Sequence, residues 1–455
     1  MNIDFFDPSL LAKYDTSGPR YTSYPTALEF TPTFTEQAFI QAAQSSSNDT
    51  LSLYVHIPFC HSLCYYCGCN KIVTRHSEKA DKYLAFLQRE IAYRGNQLSA
   101  KPVTQLHLGG GTPSFLNPSQ MKQLMSALHQ AFDIQPQAEI SIEIDPRKIP
   151  LNYIKMLADS AFTRLSIGVQ DTDLNVQRAI NRVQSTAFIK QLVEEARRCG
   201  FVSINLDLIY GLPHQNEQTF ATTLDTVASI SPDRVSLFSY AHMPQRFAAQ
   251  RKIRNEWLPD ANQKLALMRQ AALTLNKAGY VLIGLDHFAR ADDELSIAQE
   301  KGDMHRNFQG YTTQKQSDLL GLGLSAISAI GNCYSQNKKT LQDYYVSIES
   351  SEHAIDKGLV LNADDVIRRD VIQALMCNLR VDKQLIAEKY GIDFDRYFTN
   401  AIVALTPFID DQLVINRPHS LEVVPKARLL VRNICLTFDV YSQEKIAQQR
   451  FSRVI

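Results

Sequence analysis

Between residues 51 and 285 the chain alternates short apolar runs with amphipathic stretches, and this rhythm narrows the fold more than any other feature. The runs at residues 51–57, 103–108, 139–144, 164–169, 203–209, 234–239 and 281–285 read as strands. Helix-like segments lie between most of them. Asn117-Pro118-Ser119-Gln120 opens one with an N-cap, a proline at the first helical position and a glutamine at the third. Met121, Leu124, Met125, Leu128 and Phe132 then recur with the period of one buried helix face. Tyr83, Leu84, Leu87 and Ile91 do the same in an earlier helix. Strands alternating with helices build βαβ units around a parallel sheet. Six or seven such units predict an α/β fold, a full or partial barrel.

Polar residues sit where the strands end. A cysteine loop follows the first run, and Gly109-Gly110-Gly111-Thr112-Pro113 follows the second. The third ends at Glu143 and Asp145, the fourth at Gln170, the fifth holds Asp207, and the sixth leads into Tyr240-Ala241-His242. In parallel barrels the C-terminal strand ends form the active-site mouth. Taken together, these residues read as a site assembled around that mouth. Capping of the following helix is the competing reading at any single position.

The flanks differ from the middle. Residues 1–40 form an expected arm, turn-rich and aromatic over Gly18-Pro19-Arg20-Tyr21-Thr22-Ser23-Tyr24-Pro25-Thr26. Residues 41–355 are the expected barrel, and 356–455 a mostly helical C-terminal domain. There Asn362 caps a helix to about Leu379, residues 381–390 read as another stopped by Gly391, and residues 413–415 and 421–424 as a hairpin. Helices followed by a hairpin suggest a winged-helix-like module. Such modules often bind DNA, but 47 Lys+Arg balance 47 Asp+Glu, leaving no excess charge to neutralise phosphates. A packing or lid role is expected, with no nucleic-acid partner. No apolar run reaches the ~18 residues of a membrane span. The first residues also lack a basic segment leading into an apolar one. A cytoplasmic protein is the expectation.

Of eight cysteines, Cys60, Cys64, Cys67 and Cys69 crowd into ten residues, while Cys199, Cys333, Cys377 and Cys435 stand alone. A disulfide scaffold would spread them. Thiolates are soft ligands for zinc, copper(I) or iron–sulfur clusters. Structural zinc usually takes two separated pairs, whereas here three cysteines share one loop and no later pair answers them. Three ligands on a four-iron cube leave one iron open to chelate a substrate's amino and carboxylate groups. Cys69, two residues past Cys67, would strain to join the same cluster.

Cys-x3-Cys-x2-Cys after a first barrel strand resembles the signature of radical S-adenosylmethionine (SAM) enzymes. The fuller string from Tyr54 to Lys71, YVHIPFCHSLCYYCGCNK, resembles the oxygen-independent coproporphyrinogen III oxidase family. So do PRYTSYPT from Pro19, GGGTP from Gly109, RNFQGYTT from Arg306 and Arg432-Asn433-Ile434-Cys435. Tyr66 is a mild variation, where Phe is also common.

The resemblance implies a partial (β/α)6 radical SAM barrel with an N-terminal arm and a helical C-terminal domain. It implies a [4Fe–4S] cluster on Cys60, Cys64 and Cys67, SAM on the fourth iron, and a second SAM molecule. Tyr54, Tyr66, Gly110, Gly111, Thr112, Glu143, Gln170, Arg182, Asp207, Ala241 and Ile327 are the implied SAM contacts. Tyr54 and Glu143 join the three cysteines as implied catalytic residues. The implied reaction converts coproporphyrinogen III to protoporphyrinogen IX: SAM is cleaved to a 5′-deoxyadenosyl radical, which takes a hydrogen from a propionate, and CO2 leaves. The electron donor and acceptor are unidentified, and a monomer is expected.

The residues suit these roles. Glycines allow close backbone approach, Glu143 and Asp207 can accept from ribose hydroxyls or an amine, and Arg182 can pair with a carboxylate. Competing readings are a tight turn for the glycines, a helix cap for Glu143 and a surface helix position for Arg182. A related radical SAM haem chaperone shares the cysteines and barrel. It generally lacks the PRYTSYPT arm, the Cys69 position and the RNFQGYTT string. A zinc-stabilised barrel would explain the cysteines but not the strings.

Overall fold

The computed structural model describes residues 7–442 apart from Asp15 and Ser17. Its frame is one twelve-stranded sheet. In chain order the strands are β1 (Thr50–Ile57), β2 (Val103–Gly110), β3 (Ile134–Ile144), β4 (Arg164–Gln170), β5 (Ser203–Tyr210), β6 (Arg234–Ser239), β7 (Tyr280–Leu282), β8 (His287–Arg290), β9 (Ser317–Leu322), β10 (Ile327–Ile330), β11 (Cys333–Asn337) and β12 (Ile355–Val360). Their spatial order is β12-β11-β10-β9-β1-β2-β3-β4-β5-β6-β8-β7. From β9 through β6 every pairing is parallel. At both margins the pairings turn antiparallel. β7 and β12 are the two ends of this sheet, so the curved wall stays open and the barrel is partial.

The apolar run expected at 281–285 is not a further parallel barrel strand. It forms β7 over Tyr280–Leu282, antiparallel to β8. Only residues 283–286 separate the two strands. That is enough for a hairpin and far too short for a parallel crossover of a dozen or more residues.

The helices follow their local signals. Asn117 accepts from the Gln120 N–H at 2.9 Å and the Gln120 side chain accepts from the Asn117 N–H at 3.0 Å, starting the helix Pro118–Ala131. The helix Glu78–Leu98 buries Tyr83, Leu84, Leu87 and Ile91, and with them the charged Glu90. Glu90 accepts from the Gly323 N–H at 2.8 Å, Asn337 Nδ2 at 2.7 Å and the Tyr344 hydroxyl at 2.7 Å, tying this helix to the antiparallel margin.

Both expected domain boundaries fall at continuous elements. The helix Glu36–Ser45 crosses residue 40, and β12 begins at residue 355. The C-terminal region starts with a capping box at Asn362 and the helix Ala363–Asn378. The helix expected over 381–390 is shorter. Arg380–Asp382 is a strand, and Asp382 caps the helix Lys383–Tyr390 by accepting from the Leu385 N–H at 3.0 Å. Val381 pairs there with Leu421, making Arg380–Asp382 an outer strand beside the hairpin Val414–Asn416 and Ser420–Val423. The region thus joins its helices to a three-stranded antiparallel sheet.

The arm packs against this region. Arg432 donates to the Pro19 carbonyl at 2.9 Å, the Tyr21 hydroxyl meets Asp439 at 3.0 Å, and the Tyr24 ring is fully buried. No described helix is long and apolar enough to cross a membrane.

Candidate active site

Strands β2 to β6, with the cysteine loop that follows β1, surround a cavity of about 500 Å3 that runs from Arg164, Ser203 and Arg234 at their starts to Gly110, Glu143 and Gln170 at their C-terminal ends. Polar side chains recur along the strands of its wall at every second position. They are Gln105 and His107 on β2, Glu139, Ser141 and Glu143 on β3, Arg164 and Ser166 on β4, and Asn205 and Asp207 on β5. Alternate strand residues face opposite sides of a sheet. The intervening Ile140, Ile142, Leu165, Ile167 and Leu206 are buried in the core with the helix residues. The barrel is therefore hollow, with polar side chains turned into it beside Phe238, Ile283 and Phe288, unlike a barrel filled by layers of branched apolar side chains.

Cys60, Cys64, Cys67 and Cys69 all line this cavity. Phe59–Cys60 pairs in parallel with Ile72–Val73 and closes the loop that carries them. Cys60 and Cys64 are buried, Cys67 is half-buried, and Cys69 is exposed at the rim. Cys60 Sγ lies 3.3 Å from Thr112 Oγ1. Burial pushes the Cys60 thiol up to about 11. The neighbouring Cys69 thiol and Lys71 bring Cys67 down to about 6 against its burial, and Cys69 rises in turn. Two guanidiniums reach Cys64 Sγ, Arg147 Nη2 at 3.3 Å and Arg182 Nη1 at 3.4 Å. Both also bind Asp145, at 2.5 and 3.4 Å. Burial alone would raise the Asp145 carboxyl; Arg182 and Arg147 overcome it and hold the carboxyl at about 2.

This donor set fits a polynuclear cluster. A single zinc would need its sulfurs gathered around one point at ~2.3 Å. Among the described residues no three His, Cys, Asp or Glu converge on such a point. Three thiols instead share one cavity wall, with two cations beside the sulfur of Cys64.

Next to the thiols, β2 ends in the glycine loop. Gly110 adopts φ +115°, and a Cβ there would stand 2.6 Å from the His56 ring. Its N–H donates to Glu143 Oε2 at 3.2 Å, while His107 Nε2 lies 3.4 Å from Glu143 Oε1. Glu143 thus faces the cavity and caps no helix. Tyr54 joins this group without lining the cavity. Its ring stacks on His107 with centroids 5.9 Å apart, and its hydroxyl is 3.2 Å from His56 Nδ1. Burial and the Glu143 charge push that hydroxyl well above the usual tyrosine range.

On the next two strands, Arg182 donates to the Gly168 carbonyl at 2.7 Å. A Cβ on Gly168 would meet Arg182 Nη2 at 2.7 Å and Gln170 Nε2 at 2.8 Å, so a larger residue there would displace both side chains from their present positions. Arg182 follows the helix Leu174–Ala179 and turns inward; it is buried, not a surface helix position, and its Nε has no partner. Asp207 accepts from Asn205 Nδ2 at 2.8 Å and Ser166 Oγ at 3.2 Å. Burial, then the Glu143 charge, raises its carboxyl to about 6.

Of the expected contacts, Tyr66, Gly110, Gly111, Thr112, Glu143, Gln170, Arg182 and Asp207 line the cavity with the cysteines. Ala241 and Ile327 do not. The Ala241 carbonyl accepts from Gln250 Nε2 at 3.2 Å, and the same amide donates to the Tyr66 carbonyl at 2.9 Å, tying β6's end to the cysteine loop. Ile327 starts β10 and packs with Phe30, Tyr334 and Phe308. Arg147 and His107 were absent from the expected set. Their signals were an arginine two residues past a strand-end aspartate, and a polar residue two before the glycine loop.

The model for the radical SAM superfamily matches residues 54–227, and that for the HemN C-terminal domain matches residues 361–430. The chain is 52% identical over 450 residues to a protein named oxygen-independent coproporphyrinogen III oxidase from Escherichia coli K12, covering 99% of this chain and 98% of that one. It is 46% identical over 455 residues to the protein of that name from Pseudomonas aeruginosa, covering 99% of each. A solved structure described as coproporphyrinogen III oxidase (HemN) from Escherichia coli, a radical SAM enzyme, superposes with TM-score 0.94 at 50% identity, covering 97% of this chain and all of that one.

Proposed function

This chain belongs to the oxygen-independent coproporphyrinogen III oxidase family of radical SAM enzymes, and we propose that it performs the family's reaction in haem biosynthesis. That reaction is the oxidative decarboxylation of two propionates of coproporphyrinogen III to vinyl groups, giving protoporphyrinogen IX without oxygen. The observation that carries the reading is the opening of Cys60, Cys64 and Cys67 onto the same cavity as Gly110, Glu143, Arg182 and Asp207.

Cys60, Cys64 and Cys67 would hold a [4Fe–4S] cluster. When bound and reduced, the cluster with SAM supplies the one-electron chemistry that removes a hydrogen atom from a propionate. The chain's own residues bind and orient. Arg147 and Arg182 set positive charge beside Cys64, which balances an anionic thiolate cluster. Asp145 fixes both guanidiniums in place. Gly110, Gly111 and Thr112 bring main chain close to the ligand beside Tyr66. Glu143, with Tyr54 behind it, and Asp207 accept hydrogen bonds from amine or ribose hydroxyls, and Gln170 and Arg182 offer donors. A cavity running from the thiols past Arg182 to Asp207 supports room for a second SAM molecule. Ala241 would act through its backbone, while Ile327 lies off the cavity, packed with Phe30 and Tyr334. The reading includes an unidentified electron donor and acceptor, a monomeric state and a cytoplasmic location.

The test is anaerobic reconstitution with iron and sulfide, then incubation with coproporphyrinogen III, SAM and a reductant. Protoporphyrinogen IX and two CO2 per substrate are expected. SAM cleavage that leaves the porphyrinogen unchanged would refute the substrate.

A further inference from the structure

The arm, the barrel and the C-terminal region meet beside the cavity in a cluster of cations. Arg20 pairs with Asp286 at 3.2 Å and keeps 39% of its side chain exposed. Asp286 also pairs with His287 at 2.7 Å, and His287 lines the cavity. Arg306 donates to the Arg20 carbonyl at 3.1 Å and stacks 4.9 Å over the ring of Tyr311, another cavity residue. The Arg306 Nε is inaccessible and has no partner. Arg428 reaches Gln299 Oε1, and Lys264 donates to the Tyr240 carbonyl at 3.1 Å.

Arg20, His287 and Arg306 therefore crowd one carboxylate, Asp286, with Lys264 within reach of the Arg20 charge and Arg428 within reach of Tyr311. Among the described residues Lys264, Arg306 and Arg428 form no ion pair, and Asp286 is already shared by Arg20 and His287. Half-buried cations left without a counter-charge are costly. Burial brings Arg428 down to about 10, and burial plus the Arg20 charge lowers Lys264. Tyr311 and Asp286 partly offset the Arg306 charge, whereas a neutral carbonyl and an amide oxygen satisfy donors of Lys264 and Arg428 but leave their charge uncompensated. A carboxylate would supply both, with stronger charge-assisted hydrogen bonds.

We propose that this cluster binds the propionate carboxylates of the substrate that are not reacting, with Arg20 and Arg306 as principal donors. The proposal rests on the reading of coproporphyrinogen III as substrate. That molecule brings about four negative charges at neutral pH, since carboxyls titrate near ~4. A chain with balanced total charge has to recognise it through placed cations. The cluster lies one side-chain layer behind His287 and Tyr311. One propionate can then point toward the thiol end of the cavity while others stay anchored, and remote binding positions the reacting carbon.

The test titrates the reconstituted enzyme with coproporphyrin III, an oxidised relative carrying the same four propionates, and with its uncharged tetramethyl ester. Wild type should bind the acid at least tenfold tighter than the ester. Arg20→Gln, at a partly exposed position, and Arg306→Gln should each weaken the acid about tenfold and the ester less than twofold. Iron content and SAM affinity, read alongside, show that the fold and the thiol end persist. Unchanged acid affinity in both variants, or equal losses for acid and ester, would overturn the carboxylate site while leaving the function reading standing. A wild type that binds neither porphyrin nor porphyrinogen overturns both.

Discussion

Buried charge is handled in opposite ways at two places in this molecule. At the antiparallel margin, Glu90 sits in the core with three donors closed around it. At the mouth, Arg182 and Asp207 sit among partners that leave capacity over. The Arg182 Nε is unpartnered, and Asp207 accepts from two donors where Glu90 accepts from three; burial raises both carboxyls, that of Asp207 to about 6. Buried polar groups cost free energy unless paired. The scaffold meets that requirement internally, whereas the site holds it open for something that binds. The difference separates positions that support the fold from positions that support chemistry.

The largest effects should come from the thiols. Cys60→Ala, Cys64→Ala or Cys67→Ala should each remove most bound iron and all SAM cleavage after anaerobic reconstitution, because cluster assembly needs all three thiolates. Cys69→Ala should keep its iron. A Cys69→Ala protein without iron beside an iron-loaded Cys67→Ala protein would break the ligand assignment. Glu90→Ala should strike the other side of the comparison. It strands the Gly323 N–H and the Tyr344 hydroxyl and leaves Asn337 Nδ2 only the Gly323 carbonyl, and should cost ~3–5 kcal/mol in denaturant unfolding. The protein that remains folded should still take up iron; normal stability would place Glu90 among dispensable groups.

Asp207→Asn sharpens the contrast, because stability and function should move in opposite directions. A carboxyl raised from 3.8 to about 6 holds its proton more tightly folded than unfolded. Its contribution to stability is therefore full below about pH 4 and is lost as pH rises through 6. The carboxyl faces the cavity, so the loss is about 1–2 kcal/mol and not the whole shift. Thermal scans of ligand-free protein should show Asp207→Asn melting higher than wild type at pH 7.5 and equal to it at pH 4. SAM affinity, by equilibrium dialysis, should fall about tenfold with the lost acceptor. A variant that melts lower at both pH values would make Asp207 a scaffold residue like Glu90. The smallest effect belongs to the arm. Tyr21→Phe removes the hydroxyl from Asp439 and should cost ~1–2 kcal/mol in a melt, with iron content unchanged.

Much of the fold was legible because its signals are local. Apolar runs marked β1 to β6, and Asn117 and Asn362 announced their helices through caps that need only four residues. The run at 281–285 shows the limit. It looked like the earlier strands, but pairing direction depends on the length of the connection to the next strand. The split of 381–390 into strand and helix likewise came from pairing with Leu421, which propensity at Val381 alone does not reveal. Inside the barrel, reading the runs as simply apolar hid their alternation. Gln105 and His107, Glu139 and Glu143, and Asn205 and Asp207 keep the period of two that turns them all to one face.

By itself the sequence determined the thiol loop, the glycine loop and the family, since these depend on residue type at short spacing along one stretch of chain. The tertiary structure alone decided which distant residues meet. It set Arg147 and Arg182 on the sulfur of Cys64, 83 and 118 residues away. It set Arg20 against Asp286 across 266 residues, and Arg306 against the carbonyl of Arg20 across 286. It also left Ile327 off the cavity. Such meetings depend on the register and curvature of a sheet whose neighbouring strands come from both ends of the barrel, and no local window of sequence encodes either.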